Sequence, residues 1–185
     1  MKISKKVVDA LVEQYNFELE SGYIYLAIVH ELKDKAWDGL SHFMDKQAVE
    51  EYEHATKFKN FIEEIGERVE LKAIPEPKKE YKSVLEVFET AYEHEQEVTK
   101  RIENIFDLAL KEKNYVVVEF LNWFLKEQVE EELKSVEREI IGYMDSNEKL
   151  TETGKDFTVK LSTWERRTLD NKRIEADLGG LAEYQ

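Results

Sequence analysis

The sequence predicts an all-α protein, a four-helix bundle with one long crossover. Three observations carry this. Glycine and proline number only 7 and 2 in 185 residues, too few for a chain that turns often. Charged residues make up 37% and hydrophobic ones 42%, a balance that suits long amphipathic helices better than strands. Both prolines, Pro75 and Pro77, fall in one polar stretch that separates two pairs of long periodic segments.

The first helix is expected from about residue 4 to 33, with Ser4 as its N-cap. The short break at Asp34, Lys35 and Ala36 leads into the second, about 37 to 65, which ends at Gly66 as a natural C-cap. A polar link follows over residues 67–82. Ser83 and Glu86 form a capping box that opens the third helix, which runs to about residue 113. Asn114 marks a tight turn, and the fourth helix runs from about 115 to 144. Beyond Ser146 and Asn147 the pattern weakens. A shorter charged helix is expected over about 156–169, where Phe157, Leu161 and Trp164 keep helical spacing, followed by a polar tail. The expected domains are therefore a bundle over 1–145 and a C-terminal region over 146–185.

Loop lengths set the topology. Short links make helices one–two and three–four antiparallel hairpins. The long link could cover about 50 Å if extended, against about 45 Å for a 30-residue helix, so it can return along the full bundle.

Composition excludes several functions. There are no cysteines, so disulfides, iron–sulfur ligation and thiol chemistry are absent. Acids outnumber bases 41 to 27 for a net charge of −14, which argues against a nucleic-acid partner and towards cations. Residues 1–10 lack the apolar stretch of a signal peptide. No run approaches the roughly 20 apolar residues of a membrane span. The expected setting is cytoplasmic, with no membrane partner.

The buried seam, read at alternating steps of four and three, contains the informative residues. It comprises Leu11, Tyr15, Glu18, Gly22, Tyr25, Val29 and Leu32 in the first helix, and Leu40, Met44, Gln47, Glu51, His54, Phe58, Phe61 and Ile65 in the second. In the third it comprises Leu85, Phe88, Tyr92, Glu95, Thr99, Ile102, Phe106 and Ala109, and in the fourth Val117, Leu121, Phe124, Gln128 and Glu131. Polar residues enter each seam near the helix midpoint, and antiparallel midpoints share one layer. Glu18, Glu51, His54, Glu95, Gln128 and Glu131 thus meet in a core. A register shifted by one would put any single one of them on a solvated face. Four such glutamates by chance is roughly a one-in-a-thousand event, before counting the exclusion of charge from cores.

An unpaired buried carboxylate costs several kcal/mol, and no Lys or Arg shares this layer. Two divalent cations would balance four carboxylates. Oxygen ligands with one imidazole favour iron or manganese, with zinc as a competitor. Glu51 and His54 stand at i and i+3 and project onto one ion. Gln128 with Glu131 offers a neutral amide where a second Glu-x-x-His would be, so the second ion is held less tightly.

With these residues in place, the chain resembles the non-haem ferritins of bacteria and archaea over roughly residues 1–145. The resemblance rests on Asn16-Phe17-Glu18-Leu19 with Tyr25, Glu50-Glu51-Tyr52-Glu53-His54, Tyr92-Glu93-His94-Glu95, and Trp123-Phe124 followed by Glu127-Gln128-Val129-Glu130-Glu131-Glu132. It implies the ferritin-like bundle with a short C-terminal fifth helix, and a ferroxidase centre within each subunit. Glu18, Glu51 and His54 would hold the first iron. Glu51 would bridge to a second, held with Glu95 and, in some members of the family, Glu131, with Gln128 close by. Glu50, Glu127 and Glu130 match a third, weaker site leading inward. Tyr25 matches a tyrosine that supplies an electron, and Trp123 a neighbouring aromatic.

The implied function is iron storage and detoxification. Ferrous iron meets dioxygen or peroxide, and ferric mineral is deposited inside a homo-oligomer, a 24-subunit cage in this family. Bacterioferritins place a haem-ligating Met after the bridging glutamate; here that position is Tyr52, so no haem is expected. The alternative is a non-storage iron or manganese oxidase, or a peroxide scavenger, on the same fold. His94 points off the seam and is expected at the surface.

Overall fold

The computed structural model describes residues 3–146, with side chains through Glu131. The short fifth helix and tail expected after residue 146 lie outside the described residues. Four helices are present: α1 (Lys5–Asp34), α2 (Asp38–Glu64), α3 (Val84–Lys111) and α4 (Tyr115–Ser146). No described helix is long and apolar enough to cross a membrane.

The termini follow from capping chemistry. Ser4 adopts extended backbone and its Oγ accepts from the Val7 amide. Ser83 does the same for Glu86 N–H. The other half of that capping box differs from expectation: the Glu86 carboxylate accepts from Lys82 N–H, at 2.6 Å, and pairs with Lys78. Three helices end in the same way. The residue after the cap takes a left-handed φ, and the next amide reaches back to the sixth carbonyl. At α2 this is Gly66, φ 81°, with Glu67 N–H donating to Ile62 O. At α1 and α3 the left-handed residues are Ala36 (φ 59°) and Lys113 (φ 57°), with Trp37 N–H on Leu32 O and Asn114 N–H on Ala109 O.

The link over residues 67–82 runs beside α1. Asn16 clips its start, its Nδ2 donating to Glu70 O and its Oδ1 accepting from Lys72 N–H. Glu31 and Lys35 hold its end, accepting from Tyr81 N–H and donating to Tyr81 O. Residues 16 and 31 lie about 22 Å apart on a helix, so between these two clips the link returns along about half the length of α1. α3 therefore starts near the C-terminal end of α1. The order up, down, down, up follows.

All seam residues named from the sequence are buried or half-buried. The apolar core is in two parts. One joins Val7, Leu11, Phe58, Ile62, Ile102, Leu121 and Phe124. Here Phe61 stacks on Phe120 with centroids 4.0 Å apart. The other joins Ile28, Leu32, Met44, Val87 and Phe88. Between them along α1, α2 and α3, and after Phe124 on α4, lies a layer of buried polar side chains. α1 and α2 approach closely at this layer: a Cβ on Gly22 would stand 2.9 Å from the Tyr52 ring.

Candidate metal centre

Each helix supplies its midpoint to the layer. Glu18, Glu51, His54, Glu95, Gln128 and Glu131 are all at most 4% exposed. The Glu18 Oε1 accepts from Gln14 Nε2 at 2.9 Å, one turn earlier on the same helix face. Its Oε2 is buried without a hydrogen-bond partner, and so is Oε2 of Glu51. His54 Nδ1 stands 3.7 Å from that same Glu51 oxygen. Ligand atoms of Glu18, Glu51 and His54 lie within 4.8 Å of one another, and this is the one such trio among the described residues. Two buried carboxylates crowded together against an imidazole, able to share a proton between them, are an arrangement a divalent cation also satisfies.

The other carboxylates are already engaged. Tyr25 donates its hydroxyl to Glu95 Oε1, and Gln128 Nε2 donates to Glu95 Oε2 at 3.2 Å. Gln47 Nε2 donates to Glu131 Oε2 at 2.7 Å.

Burial and mutual repulsion set the electrostatics. Glu18 is held well above the usual carboxylate range by burial, then by the charge of Glu51. Glu51 is pushed up by burial and by Glu95. Glu95 rises to about 7 through burial, although the bonds from Tyr25 and Gln128 oppose the shift. Tyr25 is raised well above its ordinary value by burial and by Glu95, so it stays a donor. The layer thus binds protons that cations would displace.

Around it, Trp123 is 40% exposed, meets His54 edge-on at 5.6 Å and carries Lys57 Nζ 4.2 Å from its ring centre. Glu50 and Glu127 are half-buried and Glu130 is exposed. These three do not form a single-ion trio. The charge of Glu50 nonetheless reaches Glu51.

His94 corrects its expected surface position. Its ring is stacked on Phe17 at 5.1 Å, and its Nε2 is 2.7 Å from Ser21 Oγ. Ser21 Oγ donates to Phe17 O, so His94 is the donor in that pair. Burial and Arg101 lower its pKa to about 4, which keeps it neutral. A residue beside the seam covers the α1–α3 contact rather than solvent. Sequence reading also passed over Gln14, and it placed Gln47 on the seam without identifying its partner. Gln14 sits four residues before Glu18, and Gln47 four before Glu51, which is the spacing of same-face neighbours.

Comparison with known proteins is consistent along most of the chain. A model of the ferritin-like domain matches residues 8–140. The bacterial non-heme ferritin of Staphylococcus haemolyticus is 42% identical over 130 residues, 70% of this chain and 78% of that protein. Its counterpart from Staphylococcus saprophyticus is 44% identical over the same shares. Among solved structures, the open pore ferritin of Archaeoglobus fulgidus aligns at TM-score 0.75 and 36% identity, covering 82% of this chain and all of that one. The Chlorobium tepidum ferritin aligns at 0.76 and 33%, covering 78% and 88%.

Proposed function

The chain belongs to the ferritin family, and from that premise we propose that it stores iron by oxidising it. Two ferrous ions enter the polar layer as substrate. Glu18, Glu51 and His54 take the first. Glu51, Glu95 and Glu131 take the second, with Gln128 beside it. Each ion gives up one electron, and the pair reduces dioxygen to peroxide, or peroxide to water. Fixing two metals side by side is the protein's share of this chemistry.

The observation that supports the reading best is the buried convergence of Glu18, Glu51 and His54, whose ligand atoms lie within 4.8 Å of one another, with Glu18 Oε2 and Glu51 Oε2 free of other side-chain or backbone donors. Buried polar atoms are almost always satisfied, and a cation satisfies these two together. The second ion must compete with the hydrogen bonds that already engage both oxygens of Glu95. It is therefore bound less tightly than the first, which suits iron that is passed on rather than kept. Ferric product then leaves past Glu50, Glu127 and Glu130 into the hollow of a homo-oligomer, a cage of about 24 subunits by family resemblance. Tyr25 holds Glu95 through its hydroxyl bond.

Stopped-flow oxidation of ferrous iron tests the centre. Glu51→Ala combined with His54→Ala is expected to abolish the fast phase. A fast phase left intact by that pair removes the proposed centre. Light scattering is expected to find a hollow shell.

A further inference from the structure

Three of the four carboxylates in the layer accept a hydrogen bond from a glutamine. Gln14 serves Glu18 from its own helix, and Gln128 serves Glu95. Gln47 alone reaches from α2, the helix that carries Glu51 and His54, to α4, where its Nε2 meets Glu131 Oε2 at 2.7 Å. Gln47 is 5% exposed and lies on the seam between Met44 and Glu51. An apolar side chain of similar volume would fill that place without burying an amide. The amide is favourable there through its bond to a carboxylate, which is stronger than a bond between neutral partners.

We propose that Gln47 is a positioning residue for the second ion: its amide fixes the Glu131 carboxylate in the orientation that ligates there. The inference rests on the ferroxidase reading above. A carboxylate anchored by one oxygen presents a set face to a metal; losing that anchor loosens its orientation about the last side-chain torsion. Partners of this kind change metal affinity by about 10–100-fold when removed. The second ion is the one exposed to that loss, because one of its neighbours, Gln128, is a neutral amide. The ligands of the first ion hold no hydrogen bond to Gln47.

The test is an anaerobic calorimetric titration of the full chain with ferrous iron. Wild type is compared with Gln47→Met and Gln47→Leu, which keep the volume and remove the donor. Two binding events are expected in wild type. In either variant the second should weaken about tenfold or more, while the first stays within about twofold and the melting temperature of the metal-free protein shows a folded chain. Two variants guard against one failing to fold. Unchanged affinity at both sites makes Gln47 a packing residue and overturns the proposal alone. Equal weakening at both sites overturns it as well, since the effect is then a general loosening of the layer. A wild-type chain that binds no ferrous iron overturns the ferroxidase reading and this inference with it.

Discussion

Tyr25 donates its buried hydroxyl to Oε1 of Glu95, joining α1 to α3 at the level of the polar layer. The bond opposes the rise of the Glu95 pKa that burial causes. It is therefore worth more when Glu95 is ionised than when it is neutral. Tyr25→Phe should destabilise the metal-free protein by about 1.5–3 kcal/mol at pH 8, the range for a bond to a charged acceptor, and by less at pH 6. It should also move Glu95 above about 7. Denaturant unfolding at the two pH values reads this, and an equal loss at both would show that the bond does not discriminate the ionised form.

The layer also predicts an unusual pH dependence. Glu18, Glu51 and Glu95 have folded pKa values above the ordinary carboxylate value. A carboxyl shifted upward contributes fully below its unfolded pKa, about 4.3. That contribution is lost as pH rises through the folded value, about 7 for Glu95. Metal-free protein held in chelator should melt at a lower temperature at pH 8 than at pH 5. Saturating divalent cation should reverse the trend, since ligation needs the deprotonated forms. A metal-free melting temperature that is flat or rising over that interval would contradict the assignment of these groups as buried acids.

Much of this centre was legible in the sequence because helical periodicity converts position into depth. Glu18, Glu51, Glu95 and Glu131 fall on apolar stripes whose phase is set by Leu11, Phe58, Ile102 and Leu121, so their burial followed from register alone. His94 is one step off its stripe, and periodicity cannot tell solvent from the flank of a neighbouring helix. Phe17 decides that case, through a contact 77 residues apart in the chain. The partners of two amides were hidden for another reason. Gln14 and Gln47 are ordinary helix formers, and only three-dimensional geometry reveals which carboxylate each one holds. The Glu86 half of its capping box was misplaced by one residue because Lys78, out in the link, draws the carboxylate away from Ser83.

Asn16 offers a test of the crossover. Its side chain donates to Glu70 O and accepts from Lys72 N–H, and it also donates to Val12 O on its own helix. Asn16→Ala would leave two link backbone groups without these partners. The expected cost is about 1–3 kcal/mol, concentrated in the link rather than spread through the bundle. Limited trypsin digestion should then cut faster at Lys72, Lys78 or Lys79 with little change in helical content. Cutting at the wild-type rate would show that Glu31 and Lys35 hold the link without Asn16.

The three helix ends make a prediction with opposite signs. Gly66, Ala36 and Lys113 occupy the same position in the same motif, all with left-handed φ. Glycine takes this conformation without penalty, whereas an L-residue with a Cβ is strained by about 1–2 kcal/mol. Part of any relief is offset because glycine also frees the unfolded chain. Ala36→Gly and Lys113→Gly should each therefore stabilise the protein, by up to about 1 kcal/mol. Gly66→Ala should destabilise it by about 1 kcal/mol or more. No atom stands within 4 Å of a Cβ at Gly66, so that loss would be conformational and not a clash. Thermal unfolding of the three variants under one buffer condition checks the signs. The motif argument fails if Gly66→Ala is neutral, because the strained φ would then carry no cost. It fails equally if Ala36→Gly and Lys113→Gly both lower the melting temperature.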